Sequence, residues 1–346
     1  MKSSFSCSCL SFLLLTAGIS AVLSFPAAAQ SAGMGGAGRG LWGDWELKIK
    51  FEDREMDALV SFGRDENGNL TGDWISFWGV AELKDIQFED GKLRFEQISR
   101  FRGEEYRSKF SGKVEEDKLS GTLSGERGES EVTGRRLPRL PRVVGTWNLK
   151  YKVGDMDVEA KLIIKADKEG NLSGQWQSAP VESEVSDVKY ERGTLSLKRK
   201  MKMGDRQMEA SFEGTIDRQS GLLKGTLKSE MGDIAVEGAR FGEALIGSWD
   251  LEIATDQGSY KQRLRVNPDL SGLYGTLPIE KIEFDGTKVS FKAKREFGER
   301  TFEISLDGKL ADSKLTGQIT TMRGTQTFEG KKIVRAMVRP GGAVSY

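Results

Sequence analysis

The side chains of this chain that could do chemistry are mainly carboxylates, because histidine is absent. The sequence has 346 residues, with 52 Asp and Glu and no His. A pair of carboxylates can act as general acid and base, but the usual proton-transfer group, the commonest metal ligand and every Ser-His or Cys-His nucleophile are missing. No spacing singles out one acid pair. The sequence therefore predicts no catalytic residue, and we expect the protein not to be an enzyme.

Aromatic residues in the first third of the chain form a second candidate group. Trp74, Ser76 and Trp78 alternate along a predicted strand, so their side chains should share one face. Aromatic side chains most often fill a core, but Trp78 at an open barrel end could stack on a sugar or an apolar ring. We therefore name these three as candidate ligand-binding residues.

A methionine-rich run is the third group, with Met201, Met203 and Met208 near one predicted turn. Thioethers can bind soft metals, but three of them without His or Cys make a weak site, and packing within a hairpin is the favoured interpretation. We expect no metal and no cofactor.

The first 29 residues have the pattern of a secretory signal peptide. Lys2 supplies a positive charge, residues 10 to 23 are apolar, and Ala27-Ala28-Ala29 is a small-residue cleavage site. Both cysteines, Cys7 and Cys9, lie in this segment, so the mature chain would have no disulfide. The sequence predicts export to the periplasm or the extracellular space.

The mature chain consists of three repeats. Gly43-Asp44-Trp45, Gly145-Thr146-Trp147 and Gly247-Ser248-Trp249 open copies spaced 102 residues apart, and glycines recur at matching later positions. Units of this length are independent domains, since solenoid repeats have periods of about 20 to 50 residues. The predicted organisation is a signal peptide (1–29), a flexible Gly-rich segment (30–41), repeat 1 (42–137), a Pro/Arg linker (138–144), repeat 2 (145–240), a linker (241–246), repeat 3 (247–334) and a C-terminal tail (335–346).

Each repeat is predicted to be a small β-barrel. In repeat 2, Trp147, Leu149, Tyr151 and Val153 alternate with polar residues, which is the period of a strand with one buried face. Eight such segments follow one another, joined by short turns. The fold class is therefore all-β, with three tandem eight-stranded antiparallel up-and-down barrels of about 90 to 100 residues each. The short linkers predict that successive repeats touch and form a semi-rigid rod.

The Gly-x-Trp opening, followed by a meander of about eight strands, resembles the calycin group of lipocalins, fatty-acid-binding proteins and avidin-like barrels. The stretches Leu70-Thr71-Gly72-Asp73-Trp74 and Leu172-Ser173-Gly174-Gln175-Trp176 look avidin-like. The resemblance implies that Trp45, Trp147 and Trp249 close one end of each barrel. Further lipocalin signatures and a biotin-binding set of polar residues are absent, so the resemblance implies no particular ligand.

The distribution of charged residues along the chain helps to exclude some classes of partner. Residues 43–136 hold 16 Lys and Arg against 22 Asp and Glu, residues 145–240 hold 16 against 16, and residues 247–332 hold 14 against 13. No basic stripe suited to nucleic acid is present. Short turns and a C-terminal Tyr346 that follows a Pro-Gly-Gly sequence also disfavour membrane insertion of the mature chain.

The sequence thus predicts an exported, non-catalytic binding or scaffold protein that engages an envelope or extracellular partner, which is an unknown protein, a glycan or a small apolar ligand. One alternative is a carrier with an apolar ligand in a barrel cavity of about 300 Å³ or more. Another is a carboxylate-dependent enzyme. The ligand, the oligomeric state and the repeat that holds the site are left open, and a barrel with a divergent polar lining would locate that site.

Overall fold

The computed structural model describes residues 40 to 333, apart from residues 53, 66, 102–103, 127, 168, 180, 204–205, 231, 257, 298–299 and 323. The predicted signal peptide, nearly all of the Gly-rich segment and the predicted tail lie outside the described residues.

Throughout this part of the chain the regular structure is antiparallel β-sheet, with one sheet for each repeat. No helix among the described residues is long and apolar enough to cross a membrane. The all-β class with three barrel-like sheets of eight or nine strands is confirmed. The cause is the period-two alternation, which gives each strand one apolar face, and each sheet curls around its own apolar cluster.

Repeat 1 is a closed barrel in which each strand pairs with the next and β8 returns to β1. Its strands are β1 (Gly43–Phe51), β2 (Arg54–Arg64), β3 (Leu70–Ser76), β4 (Gly79–Glu89), β5 (Lys92–Phe101), β6 (Glu104–Glu115), β7 (Lys118–Gly125) and β8 (Gly128–Arg136).

Repeat 2 has the same eight strands and the same return, with β16 paired to β9. Its strands are β9 (Gly145–Val153), β10 (Met156–Ala166), β11 (Leu172–Gln177), β12 (Glu182–Glu191), β13 (Thr194–Met203), β14 (Arg206–Ile216), β15 (Leu223–Ser229) and β16 (Gly232–Arg240). β11 and β12 are the two ends of this sheet and share no strand ladder, only an isolated bridge between Ser178 and Val181. We call this line the β11–β12 seam.

Repeat 3 has nine strands, one more than the eight expected for each copy. Its strands are β17 (Gly247–Thr255), β18 (Gly258–Val266), β19 (Gly272–Tyr274), β20 (Leu277–Ile279), β21 (Ile282–Phe284), β22 (Lys288–Phe297), β23 (Arg300–Ala311), β24 (Lys314–Thr321) and β25 (Gly324–Lys332). The chain turns early at Gly275, whose φ of +58° suits glycine. Pro278 in β20 lacks an N–H for a ladder. The part of repeat 3 that corresponds to β3 and β4 of repeat 1 therefore consists of three strands of three residues each, β19, β20 and β21.

Facing glycines explain part of the recurring glycine pattern. Gly112 lies opposite Gly121, Gly214 opposite Gly225, and Gly308 opposite Gly317. A Cβ on Gly225 would lie 2.6 Å from Cζ of Phe212, so the aromatic ring occupies the space of the missing side chains. Glycine at these sites lets the wall bend closely over a core ring.

The repeats do not simply follow one another as a linear rod. Repeat 2 contacts repeat 3 at Gly145, where an added Cβ would lie 2.7 Å from the Pro268 carbonyl oxygen. The ring of Phe241, in the linker between them, lies 5.8 Å from that of Phe284. Repeat 1 also contacts repeat 3 directly, with the rings of Phe77 and Phe302 5.7 Å apart. The rod predicted from linker length is therefore wrong in this respect, because side chains on the outer faces of repeats 1 and 3 are complementary.

Candidate functional site

The three candidate ligand-binding residues are not brought together on one open face. Trp74 is buried in the core of repeat 1, where its ring lies 6.2 Å from that of Phe95. Ser76 ends β3, and its hydroxyl accepts a hydrogen bond from the Trp78 backbone N–H at 3.1 Å. Trp78 lies in the turn after β3 with its side chain 65% exposed. The strand ends before Trp78, so the predicted alternation stops short of it.

The opening tryptophans occupy equivalent buried positions in the three barrels. The indole N–H groups of Trp45, Trp147 and Trp249 donate to the carbonyls of the residues four positions earlier, at 3.0, 2.9 and 2.7 Å. A cation from the last strand covers each ring: Arg136 at 4.2 Å, Arg240 at 4.3 Å and Lys332 at 5.7 Å from the ring centroid. These contacts stabilise the barrel and leave the rings no surface for a ligand.

An ion-pair network joins repeats 1 and 3, and we call it the 1–3 interface. Arg263 on β18 donates from Nη2 to Asp73 on β3 at 2.7 Å and from Nε to Asp250 on β17 at 2.8 Å. Arg265 donates to Asp44 at 2.9 Å. Although burial alone would lower the pKa of Arg263, its two carboxylate neighbours raise it above the usual value.

A second part of the 1–3 interface lies where the first half of β18 is paired with β17 on one side only, because β19 reaches no further than Leu264. Gln262 donates from Nε2 to the backbone carbonyls of Ser76 and Phe77 at 3.2 and 3.1 Å. The Phe77 ring packs against the apolar cluster of repeat 3. The turn between β3 and β4 thus covers the part of repeat 3 that its short strands leave open.

Asp57 of repeat 1 takes part in the same interface through Arg295 of repeat 3. Burial would raise the pKa of Asp57, but the hydrogen bond from Lys48 and the charge of Arg295 outweigh it, and the pKa is lowered. A general acid needs the opposite shift. Asp57 therefore acts as a fixed acceptor in this interface.

The 1–3 interface is built from equivalent positions of the two repeats. Between them is a partly open pocket of about 10 Å³, which is room for about one water molecule. The pocket is lined by four pairs of equivalent residues: Asp44 and Ser248, Leu59 and Arg263, Ser61 and Arg265, and Ile75 and Gly275. The corresponding outer face of repeat 2 has a shallow pocket of about 90 Å³ next to Ile163 and Gln175. Neither volume reaches the size expected for a preformed carrier cavity.

A polar group lies inside repeat 2, and sequence reasoning missed it. Arg199 on β13 alternates with buried Leu197 and Met201 and is itself 2% exposed, so it points inward. Its Nε and Nη2 donate to the Ser183 hydroxyl at 3.0 and 2.8 Å, and its Nη2 donates to the Ser178 hydroxyl at 2.9 Å.

The environment of Arg199 is poorly matched to a positive charge. Burial lowers the pKa of its guanidinium below the usual value. The cation lies 4.7 Å from the centroid of the Trp176 ring, and among the described side chains no carboxylate pairs with it. The indole N–H of Trp176 is buried and lacks a hydrogen-bond partner. By alignment of the strands, Gln97 and Ala293 occupy this position in repeats 1 and 3, so the arginine is specific to repeat 2.

The methionine run is part of the same barrel. Met201 is buried and Met208 packs at the edge of the apolar cluster, whereas the Met203 side chain lies outside the described residues. Within the described residues, no group of three or more Cys, Asp or Glu is arranged to hold a metal ion.

Comparison with known proteins gives only distant similarities. No family model and no curated protein matches the chain. Among solved structures, a Bacteroides fragilis protein provisionally assigned to the outer membrane is 14% identical over 84% of this chain and 97% of its own, with a TM-score of 0.22. A DUF3598-family protein of unknown function from Nostoc punctiforme is 10% identical over 85% and 96%, with a TM-score of 0.21.

A variant of transferrin binding protein B from Haemophilus parasuis is 12% identical over 85% of this chain and 75% of its own, with a TM-score of 0.19. TM-scores this low carry no argument about function, and the candidate site must be judged on its own geometry.

Proposed function

We propose that this chain is an exported, non-catalytic binding protein of three lipocalin-like barrels that engages an envelope or extracellular partner. The observation that carries the proposal is the 1–3 interface. It fixes two barrels side by side, because Arg263 and Arg265 of repeat 3 each form an ion pair with an aspartate of repeat 1. A body of this kind presents outer surfaces at fixed positions, which suits a scaffold.

The alternative of a carrier with a preformed apolar cavity has less support. Buried apolar side chains, among them Phe62, Phe212 and Leu306, pack inside the three barrels, and the pockets of about 10 and 90 Å³ lie on outer faces. The enzyme alternative requires an inward carboxylate with a raised pKa, whereas Asp57 in the interface has a lowered one.

Each barrel has an exposed large apolar side chain at a turn: Trp78 in repeat 1, Met156 in repeat 2 and Met322 in repeat 3, with exposures of 65%, 68% and 71%. Apolar and aromatic residues are enriched at interface cores. These three positions are suitable for locating a partner-binding surface.

The test is photo-crosslinking in intact cells. A photoreactive residue is placed at each of these positions and, as a control, at the exposed Lys150. We expect the protein in the exported fraction with its amino terminus near Gln30, and a discrete adduct from at least one apolar position but not from the control. A chain that stays in the cytoplasm, or an exported chain that gives no adduct from any of the three, would contradict the proposal.

A further inference from the structure

The interior of repeat 2 contains a positive charge whose compensation is incomplete. The other buried arginine among the described residues, Arg263, has the carboxylate partners Asp73 and Asp250, and the half-buried Arg136 pairs with Asp117. Arg199 has two serine hydroxyls, the Tyr151 hydroxyl and an aromatic face instead. A buried charge is costly unless it is paired, so a structural arginine would normally have an acidic neighbour.

The same cluster contains a buried donor that has no acceptor at all. The Trp176 indole N–H is buried and has no hydrogen-bond partner, although such groups usually find one. Trp176 lies beside the guanidinium, with 4.7 Å between Cζ of Arg199 and the ring centroid. Two donors that both lack an anionic or carbonyl acceptor indicate a place where an acceptor can bind.

The wall of repeat 2 is weakly paired next to this cluster. The β11–β12 seam has no strand ladder. The equivalent strands of repeat 1, β3 and β4, form a ladder that runs from the Gly72–Leu83 pair to the Ser76–Gly79 pair. Ser178 and Ser183, the hydrogen-bond partners of Arg199, lie on the two sides of the seam. Opening it would therefore break no ladder of backbone hydrogen bonds.

The lining of the seam defines the ligand class. Toward its other end, Val185 and Val188 lie against Gly174, where a Cβ would be 3.0 and 3.2 Å from their methyl groups. The site thus combines a guanidinium with apolar side chains that line the seam. A guanidinium presents a planar set of donors that matches carboxylate and phosphate oxygens.

We infer that repeat 2 has a binding site for an amphiphilic oxyanion, a carboxylate or a phosphate ester with an apolar tail, at Arg199 and entered through the β11–β12 seam. This inference deepens the proposed binding function, on which it rests, by assigning it a ligand class and a repeat. Binding supplies the missing counter-charge, and the apolar tail lies along the valine side of the seam.

The test uses the mature chain, residues 30 to 346, with octanoate and octyl phosphate as probes and octanol as the neutral control. The readout is the indole N–H resonance of Trp176, identified among the seven tryptophans with Trp176→Phe. We expect a saturable shift with at least one of the two oxyanions and at least tenfold weaker binding of octanol. The stronger oxyanion identifies the headgroup as carboxylate or phosphate.

Arg199→Met removes the charge at similar length, and Arg107→Met on exposed Arg107 is the matched control. We expect Arg199→Met to have an equal or higher Tm and at least tenfold weaker oxyanion binding, with the control unchanged. If Arg199→Met fails to fold, Arg199→Lys retains the charge without the planar fork and should also bind at least tenfold more weakly.

Equal binding by these Arg199 variants, or equal binding of octanol, would overturn the inference, as would the absence of saturable oxyanion binding to the wild-type chain. An exported chain that forms partner adducts but binds neither oxyanion contradicts this inference alone. A chain that is not exported contradicts the proposed function.

Discussion

Arg263 of repeat 3 donates a hydrogen bond to Asp73 of repeat 1 at 2.7 Å, across 190 residues of sequence. The arginine side chain is 4% exposed and the aspartate side chain 37% exposed, so the pair is partly desolvated. The same guanidinium also binds Asp250 within repeat 3. One side chain therefore links the internal structure of one barrel to the surface of another.

Removal of this link should destabilise the pairing of repeats 1 and 3. For Arg263→Ala we expect a loss at the lower end of about 2 to 5 kcal/mol in the free energy of unfolding, since its acidic partners are about one-third exposed. A double-mutant cycle with Asp73→Asn, measured by urea denaturation, gives the coupling energy of the pair. Arg107→Ala, which removes exposed ion pairs, should change stability by less than about 1 kcal/mol. Additive effects of the two interface mutations would contradict a direct coupling.

The turn after β3 should matter more for repeat 3 than for its own barrel. Phe77→Ala removes a ring from the apolar cluster of repeat 3, and we expect a loss of up to about 3 kcal/mol. Hydrogen exchange should show the loss of protection in β18 and β22. The neighbouring Trp78→Ala is the matched control, and its exposed ring predicts a change near zero. Equal effects of the two substitutions would show that Phe77 does not support repeat 3.

The 1–3 interface should weaken in acid. Asp57 has a lowered pKa in the folded state, so it contributes stability above the pKa of an unfolded aspartate, about 3.9. That contribution is lost as the pH falls from about 5 through the lowered pKa.

Asp57→Asn should therefore lower the free energy of unfolding at pH 7 by about 1 to 3 kcal/mol and have a smaller effect at pH 2. Thermal unfolding across this pH range measures both values. Asp155→Asn, at an exposed turn of repeat 2, is the control. An unchanged difference between wild type and Asp57→Asn from pH 7 to pH 2 would rule out this linkage.

The facing glycines should not tolerate even one methyl group. On Gly225, an added Cβ would lie 2.4 Å from the Glu213 carbonyl oxygen and 2.6 Å from the Phe212 ring. We expect Gly225→Ala to cost at least about 1 to 3 kcal/mol by overpacking. The exposed neighbour Lys224→Ala should be close to neutral. Chemical denaturation distinguishes the two, and a stable Gly225→Ala protein would mean that the wall relaxes at this point.

Much of each barrel could be predicted because the alternation is local. The predicted strands 194–202 and 206–216 correspond to Thr194–Met203 and Arg206–Ile216 in the structure. The ninth strand of repeat 3 could not be predicted in this way. It depends on an early turn at Gly275 and on coverage by repeat 1. The alternation of apolar and polar residues along a strand reports neither feature.

The candidate site was less predictable because burial of a charge depends on the surroundings. Arg199 comes two residues after Leu197 and four after Leu195, so the alternation places its side chain on the inward face of the strand. This placement was a usable signal for a buried arginine. Arg263 and Asp73 are indistinguishable in sequence from solvated surface charges. The excess of acidic residues in repeat 1 was the only indication of a basic partner, and it did not identify repeat 3.

The contact between Phe77 and repeat 3 also has a consequence for the order of synthesis. A ribosome must add 225 more residues after Phe77 before it reaches Phe302, which takes on the order of ten seconds or more at typical translation rates. For an exported chain the same order applies as it emerges across the membrane. The first barrel can close, since its strands are all neighbours, before repeat 3 arrives to be covered by its aromatic turn. The chain therefore passes through a stage with an exposed apolar ring, when a chaperone can bind it.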